Sequence, residues 1–171
     1  FNEDVIRHEE REMLKLAIGA DNAATDLKNL VKKNLAERGI EVTDFSHDIE
    51  GNDQMYPDIA FNLATAIREG TFERGILFCG TGIGMAIVAN KVPGIRAAQC
   101  HDVYSAERAR KSNNAQIMTL GARVIGSELA LMLVDTWLNS EFEAGRSGPK
   151  VERIGYYETL LHPAGTGRIE K

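Results

Sequence analysis

The chain alternates between short apolar runs and longer stretches whose apolar residues recur every three or four positions. The first pattern marks a strand buried on both faces, the second an amphipathic helix. Leu14 to Gly19 is the first run, and Asp21 or Asn22 just after it suits the cap of a helix. Leu27, Leu30, Val31 and Leu35 keep helical spacing as far as Gly39, a natural stop. A second strand is predicted over Ile40 to Phe45, followed by a polar loop from Ser46 to Met55. Tyr56-Pro57-Asp58 opens the next helix, with Ile59, Leu63, Ala64 and Ile67 on one face and Gly70 at its end.

Gly75 to Cys79 is the third strand, and a turn with glycine at 80, 82 and 84 leads into a helix from Met85. Ile95 to Cys100 and Gln116 to Leu120 supply two more strands, separated by a helix over Val103 to Lys111. A helix over Ser127 to Leu138 offers Leu129, Met132, Leu133 and Trp137 for burial. Glu143 to Lys150 reads as an irregular basic loop and Val151 to His162 as a terminal helix. Five β-α units with short connections predict an α/β protein. The expected architecture is a three-layer α/β/α sandwich with a five-stranded parallel sheet of Rossmann or flavodoxin type. One domain is expected over residues 13–162. Met13 is read as the functional start, residues 1–12 as a leader (disordered or a short extra helix), and residues 163–171 as a fraying tail.

Composition narrows the function classes. The 171 residues suit one domain with a proper core, and a net charge of −5 disfavours nucleic acid as a partner. No run is long enough to span a membrane and no signal-peptide pattern is present, so no membrane partner is expected. Cys79 and Cys100 lie in predicted buried elements outside any metal-type spacing, which fits a reduced, cytoplasmic protein.

The chemistry concentrates at strand ends. A strand that feeds a glycine-rich turn and a helix start gathers backbone N–H groups into a small concavity suited to an anion or a developing oxyanion. No Lys-Ser/Thr follows the last glycine, and the turn does not follow the first strand, so neither a Walker loop nor a dinucleotide fingerprint is present. Cys79 at a helix N-terminus is placed to act as a thiolate nucleophile or base. His101-Asp102 at the fourth strand end could partner it, so a thiol hydrolase stays open beside a site for proton transfer. Among the scattered cations, Arg146 in a glycine-flanked loop with Lys150 close by is best placed for a phosphate.

Cys-Gly-Thr-Gly-Ile-Gly-Met at 79–85, Ala-Asn-Lys-Val-Pro-Gly-Ile-Arg-Ala-Ala at 89–98 and His-Asp-Val-Tyr-Ser-Ala at 101–106 carry a resemblance. Asn113-Asn114-Ala115-Gln116, the 120–126 run and Gly145-Arg146 extend it. Together they resemble the type B ribose-5-phosphate isomerase and galactose-6-phosphate isomerase family, from about Leu14 to Tyr157. The resemblance implies an aldose–ketose isomerase of a short sugar phosphate that needs no metal or organic cofactor. It works through a cis-enediolate, as a homodimer or a tetramer made of two dimers, with each active site at the dimer interface. It assigns Cys79 as general base, Thr81 as proton shuttle and His101 as ring opener reaching in from the partner. The N–H groups of Gly80, Gly82, Ile83 and Gly84 form the oxyanion hole. Asp21, Asn22, Tyr56, Asp58 and Asn113 become substrate-binding residues, and Arg110, Arg146 and Lys150 phosphate ligands. Asn22 and Ser147 stand where the family commonly has histidine. The expected substrate is ribose 5-phosphate, with a tetrulose 4-phosphate, or an allose or galactose 6-phosphate, as the alternative. A non-catalytic sugar-phosphate binding subunit is the reading from a different class.

Overall fold

A computed structural model describes residues 14–46 and 55–162. The leader, the tail and most of the polar loop after Ser46 lie outside the described residues. Five strands form one parallel sheet: β1 (Leu16–Ala20), β2 (Val42–Asp44), β3 (Arg74–Cys79), β4 (Ala97–Gln99) and β5 (Ile117–Gly121). Their order is β2-β1-β3-β5-β4. The helices are α1 (Thr25–Glu37), α2 (Tyr56–Arg68), α3 (Ile83–Asn90), α4 (Val103–Lys111), α5 (Ser127–Leu138) and α6 (Gly148–Leu161).

The order starts as in a flavodoxin-type sheet and then departs from it, because β5 sits between β3 and β4. Burial explains the exchange. Every residue of β5 is buried, as an inner strand needs, whereas Ala97-Ala98-Gln99 are partly exposed and suit an edge. Alternating strand residues feed two cores. Ile18, Phe78 and Leu120 pack against α1, α4 and α5, and Leu77, Cys79 and Ile117 pack against α2 and α3. The predicted three layers are present, and each fully buried Leu, Ile or Phe contributes about 1.5–3 kcal/mol to them.

Several predicted boundaries shift. The second and fourth strands are shorter than Ile40–Phe45 and Ile95–Cys100, and the last helix starts at Gly148, so Lys150 lies in its first turn. In α5 the buried stripe runs through Ala130, Leu133, Val134 and Trp137, which turns Met132 to the surface. In α1 the stripe is Lys28, Val31 and Leu35, so Leu30 is exposed and a lysine occupies a core position.

Candidate active site

All five strands point the same way, so their carboxyl ends share one rim, where open α/β sheets keep their ligands. Central β3 is buried throughout and ends on Cys79, which pairs with Gly121 at the end of β5. β1 lies on the other side of β3, and the Asp21 N–H donates to Phe78 O at 3.2 Å. The switch in strand order between β1 and β3 therefore falls between Asp21 and Cys79.

The glycine turn fits only glycine for two separate reasons. Gly82 has φ +77°, and a Cβ there would sit 3.0 Å from the Leu120 carbonyl carbon. At Gly84 a Cβ would meet the Tyr56 ring at 2.5 Å, so the exposed tyrosine that starts α2 folds over the turn. The turn is also held from outside. Thr119 Oγ1 donates to Gly82 O at 2.7 Å and Gln99 Nε2 donates to Thr81 O at 2.6 Å.

Cys79 is nearly buried, and Gly82 N–H donates to its Sγ at 3.0 Å. Ile83 N–H donates to Thr81 Oγ1 at 3.2 Å. Of the expected oxyanion donors, Gly82 and Ile83 thus already have acceptors inside the turn. Gly84 N–H, in the first turn of α3, has no acceptor from its own helix. Asp21 caps the short 3₁₀ turn Asn22–Ala24, with Ala23 N–H donating to Oδ1 at 3.1 Å. Asn22 beside it and Asp58 in the first turn of α2 are exposed at the same rim.

His101 also belongs to this rim, with one ring nitrogen engaged by the backbone. Its Nε2 accepts the Gly121 N–H at 2.9 Å, which ties the ring to the end of β5. Burial holds its pKa below the ordinary histidine value, against a smaller opposite pull from Asp102. An unprotonated, accepting Nε2 leaves Nδ1 to carry the proton. Asp102 does not orient this imidazole. It caps α4, accepting from Ser105 N at 2.7 Å and Ser105 Oγ at 2.6 Å, and those bonds hold its pKa low. Among the described residues no hydrogen bond joins His101 to Cys79 or to Asp102, so a Cys-His-Asp relay is not assembled.

Four expected ligands are not brought to this rim. Arg110 near the end of α4 is buried, with NH1 donating to Ala115 O at 2.9 Å and Asn114 Oδ1 at 3.2 Å, and Nε to Ser140 O at 3.4 Å. Burial and neighbouring Arg74 push its pKa down to about 10. Its guanidinium is committed inside the fold, and this corrects its assignment as a phosphate ligand. Asn113 donates to Arg108 O at 2.9 Å, just ahead of β5. That is the amino end of the sheet, and β5 alone puts four residues, roughly 13 Å, between it and the Cys79 end. Glu143 N–H donates to Lys111 O, so the loop to the exposed Arg146 and Lys150 also leaves from that amino end.

Arg123 carries no distinguishing signal among the scattered cations of the sequence. Its backbone N–H donates to Gly80 O at 3.0 Å, and its side chain lies 3.5–3.7 Å from where a Gly80 Cβ would be. The exposed guanidinium has no hydrogen bond or ion pair among the described residues and overhangs the turn. The one available clue is position, two residues beyond the strand that pairs with β3.

Comparison with known proteins places the chain among sugar-phosphate isomerases. A family model described as Ribose/Galactose Isomerase matches residues 16–154. A D-erythrulose-4-phosphate isomerase of Pectobacterium atrosepticum is 64% identical over 146 residues, covering 85% of this chain and 96% of that protein. Ribose-5-P isomerase B of Listeria innocua is 55% identical over 139 residues, 81% of this chain and 93% of that one. Among solved structures, ribose-5-phosphate isomerase B of Clostridium thermocellum aligns with a TM-score of 0.82 at 44% identity. That alignment covers 86% of this chain and 99% of the other.

Proposed function

The chain belongs to the ribose/galactose isomerase family as a sugar-phosphate aldose–ketose isomerase, and on that premise we propose that its substrate pair is erythrulose 4-phosphate and erythrose 4-phosphate. One observation that favours this choice is the engagement of His101 Nε2 by Gly121 N–H, which leaves the ring only Nδ1 for proton transfer. A pentose phosphate enters largely as a closed furanose and needs a free acid–base group to open it. A tetrose 4-phosphate has its O4 esterified and cannot close that ring. The 64% identity to a D-erythrulose-4-phosphate isomerase supports the same reading.

Cys79 acts as the base. Its thiolate takes the proton from C2 of the aldose, the C1 carbonyl becomes an enediolate oxygen, and the thiol returns the proton to C1 to give the ketose. Thr81 relays the hydroxyl proton between O2 and O1. Gly84 N–H and the head of α3 face the developing charge, where preorganised donors lower a barrier most. Asp21 Oδ2 accepts from sugar hydroxyls, with Asn22, Tyr56 and Asp58 around it. Arg123 supplies positive charge at the mouth of the turn.

A second copy of the chain completes each site. Asn113, and Arg146 and Lys150 on the loop and helix that leave the amino end of the sheet, serve the neighbour's rim. Two apolar faces support this arrangement. α6 buries none of its residues and exposes Ile154, Tyr156, Tyr157 and Leu160, and α3 exposes Ile83 and Ile87. Apolar faces of this kind on a soluble chain mark an interaction site.

Rates of the purified chain on erythrulose 4-phosphate and ribose 5-phosphate test the substrate. A kcat/KM at least tenfold higher on the four-carbon sugar is expected, and the reverse preference overturns the choice.

A further inference from the structure

Buried lysine is rare unless paired, and Lys28 occupies a core position of α1 at 1% exposure. Its Nζ lies 2.9 Å from Asp44 Oδ2, and Lys32 approaches the same oxygen at 3.2 Å. The arrangement does not end at the ion pair. Ser46 N–H donates to Asp44 Oδ1 at 2.8 Å, and the Ser46 hydroxyl also hydrogen-bonds that carboxylate. On its other side, Ser46 Oγ accepts the Ala20 N–H at 2.8 Å.

The direction of this chain of bonds is fixed by chemistry. An ionised carboxylate only accepts and an amide N–H only donates. The Ser46 hydroxyl must therefore give its proton to Asp44 and turn a lone pair toward Ala20. Lys28, without the freedom to reach water, keeps Asp44 in place. The bond matters because β2 stops at Asp44 while β1 continues to Ala20, so the last N–H of β1 has lost its strand partner on that side. Ala20 is followed directly by Asp21.

We propose that Ser46, oriented by the Lys28–Asp44 ion pair, is a positioning residue that fixes the end of β1 and thereby the Asp21 carboxylate against the sugar. The inference rests on the isomerase reading, in which Asp21 grips sugar hydroxyls. It adds Lys28, Asp44 and Ser46 as residues that never touch substrate but set the geometry of one that does.

Ser46→Ala removes a single hydroxyl and leaves the ion pair intact, which makes it the discriminating variant. KM for the preferred sugar phosphate should rise about fivefold, the worth of one neutral hydrogen bond, with kcat within about twofold of wild type. Amide exchange at Ala20 and Asp21 should quicken in the same variant. Ser46→Thr keeps the hydroxyl and should restore both. An unchanged KM in Ser46→Ala with faster exchange at Ala20 overturns the proposal. A fall in thermal stability and kcat that Ser46→Thr does not rescue also overturns it, since that pattern belongs to a merely structural residue. If the wild-type chain turns over neither tetrose nor pentose phosphate, the functional reading fails. In that case unchanged amide exchange at Ala20 would separately overturn the hydroxyl contact.

Discussion

The N–H of Gly82 donates to Sγ of Cys79 from 3.0 Å, across a turn only three residues long. The same left-handed glycine that lets the chain enter α3 therefore aims a donor at the sulfur that ends β3. Backbone conformation and reactive group are a single unit here, and several consequences can be measured.

Replacing Cys79 by Ala should abolish isomerisation, a loss of about 10²–10⁴-fold for removal of a general base. The side chain is small and at the core margin, so circular dichroism and the melting temperature should change little. Retained turnover, measured by a coupled assay for the ketose, would show that another group takes the proton.

Gly82→Ala forces a side chain into φ +77° and against the Leu120 carbonyl, and should cost about 1–3 kcal/mol of stability. At Gly155 in exposed α6 a Cβ would have no atom within 4 Å, so Gly155→Ala should instead stabilise by roughly 0.5–1 kcal/mol. Thermal denaturation of the two variants side by side checks the contrast.

Cys79→Ala and Arg146→Ala should each be inactive for different reasons, the second by loss of phosphate affinity. If each site draws Cys79 from one chain and Arg146 from another, co-refolding equal amounts should recover about a quarter of wild-type activity, because random pairing makes half the dimers mixed, each with one intact site. No recovery would place both residues in the same chain's site.

His101→Ala removes the acceptor for Gly121 N–H and should lower turnover of tetrose and pentose phosphates to the same extent. A loss confined to ribose 5-phosphate, seen in parallel kinetics, would return the ring-opening role to this histidine.

The Asp44 side chain is buried, and Lys28 and Ser46, acting against that burial, hold its carboxyl at about 2, below its ordinary 3.8. A carboxyl depressed in the fold stabilises it above the unfolded value and loses that contribution as pH falls from 3.8 to about 2. The wild-type chain should lose about 1–2 kcal/mol over that interval. Urea midpoints of Asp44→Asn should fall less steeply there, and parallel curves would show that Asp44 is not the group responsible.

The apolar spacing was enough to show the β-α order, because a parallel sheet covered on both faces writes its strands as plain apolar runs. The glycine turn, Cys79 and Asp21 were equally legible, since steric and chemical demands at those positions admit few residue types. Strand order was not. The swap of β4 and β5 depends on which short run tolerates an edge, and that is settled by packing across the whole sheet. Lys28 looks like one more surface lysine until Asp44 comes to meet it from a neighbouring strand. Arg110 reads as a free cation because nothing in its neighbourhood of sequence reveals that Ala115, Ser140 and Asn114 close around it. His101 matches a catalytic position by pattern, whereas its bond to Gly121 joins residues twenty apart. Local sequence sets backbone geometry and the reactive groups, because those are satisfied within a turn or two. Whether a polar side chain is spent on the fold or left for a substrate is decided by partners that only the tertiary structure brings within reach.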